Sequence, residues 1–307
     1  MILARELRKV KMQCKYCGGI VNKKGIRRHQ RRVKCRVCGK YDTVPLHEQS
    51  PNILLLDIET TPMKVFVWGL FGNKYINHEN VIEDWNVLSW AAKWLCDSKV
   101  MGQIQTPSEA RSRDDKRILK QIWGLIDKAD IIIAHNAKWF DIKKLNTRFY
   151  LNGFPPPRFY KTIDTLLEAR KNFSFSSNKL DYLSKIIKNK KKNETNFKLW
   201  TECLDGNSES LRYMMKYNKK DVKLLEEVYI ELRPWIKSHP NSGIYMEKDN
   251  VCPTCGSEDI FENNSYYTTS ANKYKSYRCK SCGALSRSMR GELNIDKRRN
   301  LPRSLAA

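Results

Sequence analysis

The chain has 307 residues, 41% of them hydrophobic, and it carries a formal net charge of +24 at pH 7. This apolar content can fill one substantial core with small appended modules. The mean hydropathy is −0.62, and no apolar run approaches the ~18 residues of a membrane span, which excludes a membrane-spanning protein. With no signal-like apolar segment either, we expect a cytoplasmic protein.

The positive charge is concentrated towards the ends of the chain. Residues 1–40 hold fourteen lysines and arginines against the single acid Glu6, and residues 288–307 form a basic tail. Such clustering favours a polyanionic partner, most often nucleic acid. A merely solvated basic surface is the alternative.

Eight of the ten cysteines fall into four C-x-x-C pairs. In a chain with no secretory signal, this spacing predicts zinc rather than disulfides. Two pairs supply four thiolates, which close a tetrahedral structural site and leave no position for a substrate. We therefore predict two Zn²⁺ ions, one held by Cys14, Cys17, Cys35 and Cys38 and one by Cys252, Cys255, Cys279 and Cys282. The remaining Cys96 and Cys203 are predicted to be buried or inert thiols.

Residues 54–60 predict a buried strand that ends in two carboxylates. Alternate residues of a strand share a face, so Asp57 and Glu59 project side by side while Leu56 and Ile58 face the core. Two carboxylates this close repel each other, and a bound divalent cation is the usual remedy. For an isolated D-x-E motif, an ordinary strand end with solvated acids is the alternative.

Further elements are predicted along the chain: strands over 65–71, 87–95 (strand or short helix), 131–134 and 160–164, and helices over 114–127 and 208–232. Asn136 is predicted to cap a helix that carries Asp141 one turn in. The basic segment 188–198 is predicted to be a loop, either close to a phosphate backbone or solvated. Within the last helix, Tyr217 and Asp221 share one face because they stand four residues apart.

Asp57-Ile-Glu59-Thr60, Asn136 with Phe140-Asp141, and Tyr217-x3-Asp221 together resemble the three motifs of DEDD exonucleases. With Tyr217 four residues before Asp221, the third motif is similar to that of the DEDDy branch of this ribonuclease H-like (DnaQ-like) superfamily. Residues 50–238 also resemble phage-encoded members of the superfamily. The resemblance implies an α/β fold, with a ribonuclease H-like mixed sheet flanked by helices and small zinc-ribbon modules at both ends. The N-terminal ribbon is similar to the zinc ribbons of DNA-associated proteins, a less specific likeness.

The resemblance also implies a role for each motif residue. Asp57 would bridge two Mg²⁺ or Mn²⁺ ions, Glu59 and Asp221 would complete one site, and Asp141 would hold the other. Tyr217 would orient or deprotonate the attacking water. The substrate would be contacted by Thr60 and Asn136. Asp164 is a fifth acid, either structural or a competitor of Asp141.

The domains implied are a basic zinc ribbon over 1–46, the exonuclease domain over 50–238, a second ribbon over 248–287 and a basic tail over 288–307. The leading hypothesis is a metal-dependent 3′–5′ exonuclease with a two-metal-ion mechanism, acting on single-stranded or 3′-ended DNA, with RNA as the other substrate. Polymerase, replication or recombination proteins are candidate partners, with no membrane, and a phage-encoded chain would act in the host cytoplasm. A ribonuclease H-like endonuclease or recombinase and a non-catalytic nucleic-acid-binding adaptor are the alternatives.

Overall fold

The structure, a computed structural model, describes residues 14, 16–17, 21–27, 30–45, 50–71, 75–189, 195–246 and 248–302. The chain divides into two compact units, one of residues 52–232 and the other of residues 1–51 together with 233–307. Within the described residues, no helix is both long and apolar enough to cross a membrane.

The second of these units contains two small antiparallel sheets, each built around one of the cysteine groups. The N-terminal sheet consists of β1 (Val21–Arg27), β2 (Gln30–Cys35) and β3 (Tyr41–Pro45) in that order. Strands β1 and β2 pair antiparallel between the two N-terminal C-x-x-C pairs.

Residues 52–232 are built on a mixed five-stranded sheet. Its strands are β4 (Ile53–Thr60), β7 (Val87–Trp94), β8 (Met101–Ile104), β9 (Ile131–Ala134) and β10 (Lys161–Asp164). The order is β10-β9-β4-β7-β8, and β4 at the centre runs parallel to β9 and antiparallel to β7. A separate pair, β5 (Lys64–Val65) and β6 (Val81–Glu83), follows β4.

Helices flank this sheet: α1 (Pro107–Ser112), α2 (Lys116–Ile126), α3 (Asp141–Leu151), α4 (Thr165–Asn172), α5 (Leu180–Lys188), α6 (Phe197–Leu204) and α7 (Ser208–Leu232).

The C-terminal part adds β11 (Ile260–Thr268), β12 (Lys273–Cys279), β13 (Leu285–Arg287) and α8 (Ile295–Arg299). The mixed sheet, the flanking helices and the cysteine modules at both ends confirm the predicted fold class.

In the second half of β4, the side chains alternate between a buried apolar face and the face that carries the acids. Leu54, Leu56 and Ile58 are fully buried in a cluster with α2. The residues between them point to the other side of the sheet, where α7 packs. Asp57 and Glu59 therefore face α7, as the pattern of the sequence predicts.

One predicted strand is wrong. Of the predicted strand 65–71, only Val65 lies in a strand, the two-residue β5 (Lys64–Val65). The apolar side chains that follow are exposed, and the exposed fractions of Trp68 and Phe71 are 104% and 95%. The segment is rich in β-forming residues but lacks alternation, and β6 offers it only a three-residue partner. Composition without periodicity was the source of the error.

A buried ion pair ties α3 to α2 and β7. Arg148 donates to both carboxylate oxygens of Asp115, from Nε at 2.7 Å and Nη2 at 2.8 Å, and the backbone N–H of Val87 donates to the same carboxylate at 2.9 Å. The Asp115 side chain has no exposed surface. Removing the Asp115 carboxylate would leave the Arg148 guanidinium and the Val87 N–H without their acceptor in a buried site.

Asp115→Ala is therefore expected to lower the free energy of unfolding by about 3–5 kcal/mol, measured by urea titration. Glu231→Ala is the matched control, because Glu231 pairs with Lys188 at the surface and should cost less than about 1 kcal/mol. Equal losses in the two variants would contradict the role assigned to Asp115.

Candidate active site

The ends of β4 and the middle of α7 bring three carboxylates together. Ligand oxygens of Asp57, Glu59 and Asp221 all lie within 4.8 Å of one another. Asp221 is 1% exposed, whereas Asp57 and Glu59 are half-buried. Three acids at this spacing repel each other in a partly dry site, and their oxygens match the donors that hard divalent cations prefer. The donor set therefore fits a divalent metal ion.

A buried polar chain holds Asp57 in place. The Asn218 side chain, which has no exposed surface, donates from Nδ2 to Asp57 Oδ2 at 2.5 Å and to the Asp57 carbonyl at 3.2 Å. Its Oδ1 accepts a hydrogen bond from Ser89 Oγ at 3.2 Å. Because Ser89 lies on β7, the chain fixes the Asp57 carboxylate relative to both α7 and the sheet.

Asp141 lies beside this group rather than within it. It is the first residue of α3, is 1% exposed, and accepts a hydrogen bond from the backbone N–H of Ile58 at 3.2 Å. Burial and then the nearby Asp57 charge hold the pKa of Asp141 well above its usual range. The structure thus groups three of the four predicted acids closely and places the fourth next to Asp57.

The loop between β9 and α3 departs from the sequence prediction. Asn136 has φ of +78° and does not cap α3, whose N-cap is Phe140, so Asp141 begins the helix instead of lying one turn inside it. Asn tolerates the left-handed conformation better than most residues, which suits a sharp turn here. The cap prediction was wrong because the turn inserts four residues between Asn136 and the helix.

Asp164 organises this loop. Its carboxylate accepts hydrogen bonds from the backbone N–H groups of Asn136 and Lys138, each at 3.0 Å. It also caps α4 by accepting from the N–H groups of Leu166 and Leu167. Four backbone donors occupy the two oxygens, which favours the structural role among the two considered for Asp164.

An open cleft of about 880 Å³ lies over the acids. Its lining includes Asp57, Glu59, Asn136, Tyr217 and Asp221, so most of the motif residues share one cavity. Tyr217 is 5% exposed and stands one turn before Asp221 on α7. Thr60 is not among the lining residues; it pairs with Val87 after a bulge in β4.

Each cysteine group converges on one point. Sulfur–sulfur distances are 3.7 Å for Cys14–Cys38 and 3.5 Å for Cys17–Cys35. In the C-terminal group they are 3.7 and 3.6 Å. A tetrahedral ion with bonds of about 2.3 Å to sulfur requires about 3.8 Å between sulfurs. Both groups therefore could hold zinc.

The backbone of the second N-terminal knuckle favours a thiolate. The N–H groups of Cys38 and Val37 donate to Cys35 Sγ at 3.4 and 3.3 Å, and these bonds, with Cys38 first, hold the pKa of Cys35 down to about 6. By contrast, burial raises the pKa of the Cys203 thiol to about 12. Cys96 is exposed, so of the two alternatives predicted for it, a buried or an inert thiol, burial does not hold.

Sequence reasoning missed Asn218, which is buried against Asp57, and three cations of the cleft lining. Asn218 lies inside the Tyr217-x3-Asp221 motif, and its position three residues before Asp221 on the same helix was an available signal. The three cations are Arg170, Lys179 and Lys185. Nothing in their local sequence indicates that α4 and α5 lie beside the acids.

Residues 54–233 match the sequence model of the RNase_H superfamily. This match covers more than half of the chain, and the chain belongs to that superfamily. Its membership supports a nuclease-type function, and hence a nucleic acid substrate and divalent metals. Among curated proteins, none matches the chain.

Proposed function

We propose that the protein is a metal-dependent 3′–5′ exonuclease of the DEDDy type. The observation that carries the proposal is the convergence of Asp57, Glu59, Asp221 and Tyr217 on one open cleft. A carboxylate cluster alone suits many nucleases. The tyrosine one turn before the last acid, with no histidine near it in the sequence, favours terminal hydrolysis.

The carboxylates would hold two Mg²⁺ or Mn²⁺ ions. Such ions supply an activated water, charge stabilisation at phosphorus and help for the leaving oxygen. Asp57 would bridge the two positions, Glu59 and Asp221 would complete one, and Asp141 would serve the other. Asn218 keeps the Asp57 carboxylate oriented before any ion binds.

The remaining residues bind and position the substrate. Tyr217 would orient the attacking water or take its proton. Asn136, held in the cleft lining by the Asp164-anchored loop, would contact the terminal nucleotide. The same role is proposed for Thr60, which follows Glu59 in β4 but does not itself line the cleft. DNA is the favoured substrate. The zinc ribbons over 1–46 and 248–287 and the basic tail over 288–307 would add salt-sensitive affinity to the 50–238 domain.

A gel time course with 3′-labelled and 5′-labelled single-stranded DNA and RNA tests this proposal. The expected result is a ladder that shortens from the 3′ end with Mg²⁺ or Mn²⁺ and stops when the metal is omitted. Discrete internal cuts would instead identify an endonuclease or recombinase. Binding of the oligonucleotide without cleavage in either metal would instead favour the non-catalytic nucleic-acid-binding adaptor.

The cysteine groups are expected to hold two zinc ions per chain, measured by mass spectrometry of the purified protein. Cys252→Ser should reduce the content to about one ion, because a tetrahedral site loses one of its four ligands. Cys96→Ser, which changes an exposed cysteine outside both groups, should keep two. Zinc-free wild-type protein would contradict the assignment.

Asn218→Leu is expected to slow cleavage about 10–100-fold, because it removes the donor that orients a metal-binding carboxylate. The side chain is of similar size, so the packing of α7 should survive. Raising the Mg²⁺ concentration should recover part of the loss if Asn218 acts through metal binding. Ser89→Ala, which removes the support of Asn218 rather than its contact with Asp57, should have a smaller effect. A loss of cleavage rate that is the same at every Mg²⁺ concentration would argue for a purely structural role of Asn218.

A further inference from the structure

Three basic side chains line the same cleft as the acids. Arg170 lies near the end of α4, Lys179 immediately before α5 and Lys185 within α5. All three are exposed. One acid, Asp181, lies among them in the cleft lining. We refer to Arg170, Lys179 and Lys185 as the basic wall.

The charges of the basic wall are not used to hold the fold together. Several other cations of residues 52–232 pair with acids, as Lys93 does with Glu226, Arg117 with Glu109 and Lys188 with Glu231. Within the described part of the chain, the three basic-wall residues take part in no ion pair. Cations that a fold leaves available inside a cleft attract an anionic ligand, since the low-dielectric walls focus their field.

The basic wall is also fixed relative to the acids. His135, directly after β9, contacts Thr165 Oγ1 through Nδ1 and the Asn178 carbonyl through Nε2, each at 2.9 Å. Asn178 precedes Lys179, so this contact fastens the start of α5 to the strand end that leads to Asn136. The basic wall is thereby tied to the strand edge that carries the rest of the site.

We propose that the basic wall binds the sugar-phosphate backbone of a single nucleic acid strand, on the nucleotides that precede the terminal one. The inference rests on the proposed exonuclease function for its direction along the strand. Cations beside the acids reduce the repulsion between the carboxylates and the phosphates of a bound strand. At about 880 Å³ the cleft is at the upper end of small-molecule pockets, which suits a few nucleotides of one strand rather than a duplex.

The test compares two triple variants of the full chain. Arg170→Gln/Lys179→Gln/Lys185→Gln removes the basic wall. Lys116→Gln/Lys120→Gln/Lys128→Gln removes the same charge from exposed positions on and after α2, which packs on the opposite face of the sheet. Binding of a labelled single-stranded oligonucleotide is measured by fluorescence anisotropy against salt, without added divalent metal. Lys185→Glu is a single-site variant that reverses one charge of the basic wall.

Each phosphate contact on a single strand contributes about 0.7 to the slope of log K against log salt. Loss of three contacts should therefore reduce the slope by about 2 and weaken binding about 10²-fold at 0.1 M salt. Lys185→Glu should move in the same direction, and the α2 triple should bind as wild type does. If both triple variants bind equally while wild type degrades the strand from its 3′ end, the basic-wall proposal is refuted and the exonuclease proposal stands. If the basic-wall triple binds more weakly but wild type does not cleave, the exonuclease proposal is refuted and the basic wall remains a nucleic-acid-binding site.

Discussion

Asp57→Asn is expected to reduce metal-dependent cleavage by at least about 10³-fold. The substitution keeps the shape of the side chain and its place beside Asn218 but removes the charge at the centre of the acid cluster. Two-metal catalysis contributes several kcal/mol of transition-state stabilisation, and each 1.36 kcal/mol is a factor of ten in rate. Single-turnover rates at saturating Mg²⁺ measure the loss, and Asp221→Asn should behave alike.

Binding provides the internal control for this experiment. The affinity of Asp57→Asn for an oligonucleotide without metal should equal or exceed that of wild type, since the variant removes an acid that repels phosphate. Glu209→Gln is the matched variant on α7, because Glu209 is 89% exposed in its side chain. Its turnover should be unchanged. Near-wild-type cleavage by Asp57→Asn would refute the site assignment.

The elements that the sequence predicted well are those whose periodicity is set by a local face. In β4, Leu56 and Ile58 alternate with Asp57 and Glu59. A strand of period two that buries Leu56 and Ile58 on one face must place both acids on the other. Helix α7 spans Ser208–Leu232 as predicted, because its long apolar stripe covers the sheet. The two acidic motifs on these elements were therefore placed correctly on their strand and helix.

The features that the sequence did not predict depend on contacts between distant residues. The turn at Asn136 is held by Asp164, which is 28 residues away, and local preference alone favoured a helix cap. Asn218 contacts Asp57 across 161 residues. Neither contact produces a periodic pattern in the sequence, so only the packing of α7 and α4 on the sheet reveals them.

Tyr217→Phe tests the feature that separates the proposed exonuclease from other members of the superfamily. The variant keeps the buried ring, which packs with Leu88 and Met214, and removes only the hydroxyl. A lost general base or water-orienting group costs about 10²-fold or more in rate. The single-turnover rate should fall by that amount, with metal and oligonucleotide affinities unchanged, because the carboxylates and the basic wall are intact.

The same helix supplies the control. Tyr213 stands one turn before Tyr217, is 41% exposed and does not line the cleft over the acids. Tyr213→Phe removes an identical hydroxyl and should leave the rate unchanged. Equal rates in both variants would remove the tyrosine from the mechanism. In that case the three carboxylates would still define a nuclease, but the choice of the strand end over an internal bond would have to come from the shape of the cleft and the basic wall.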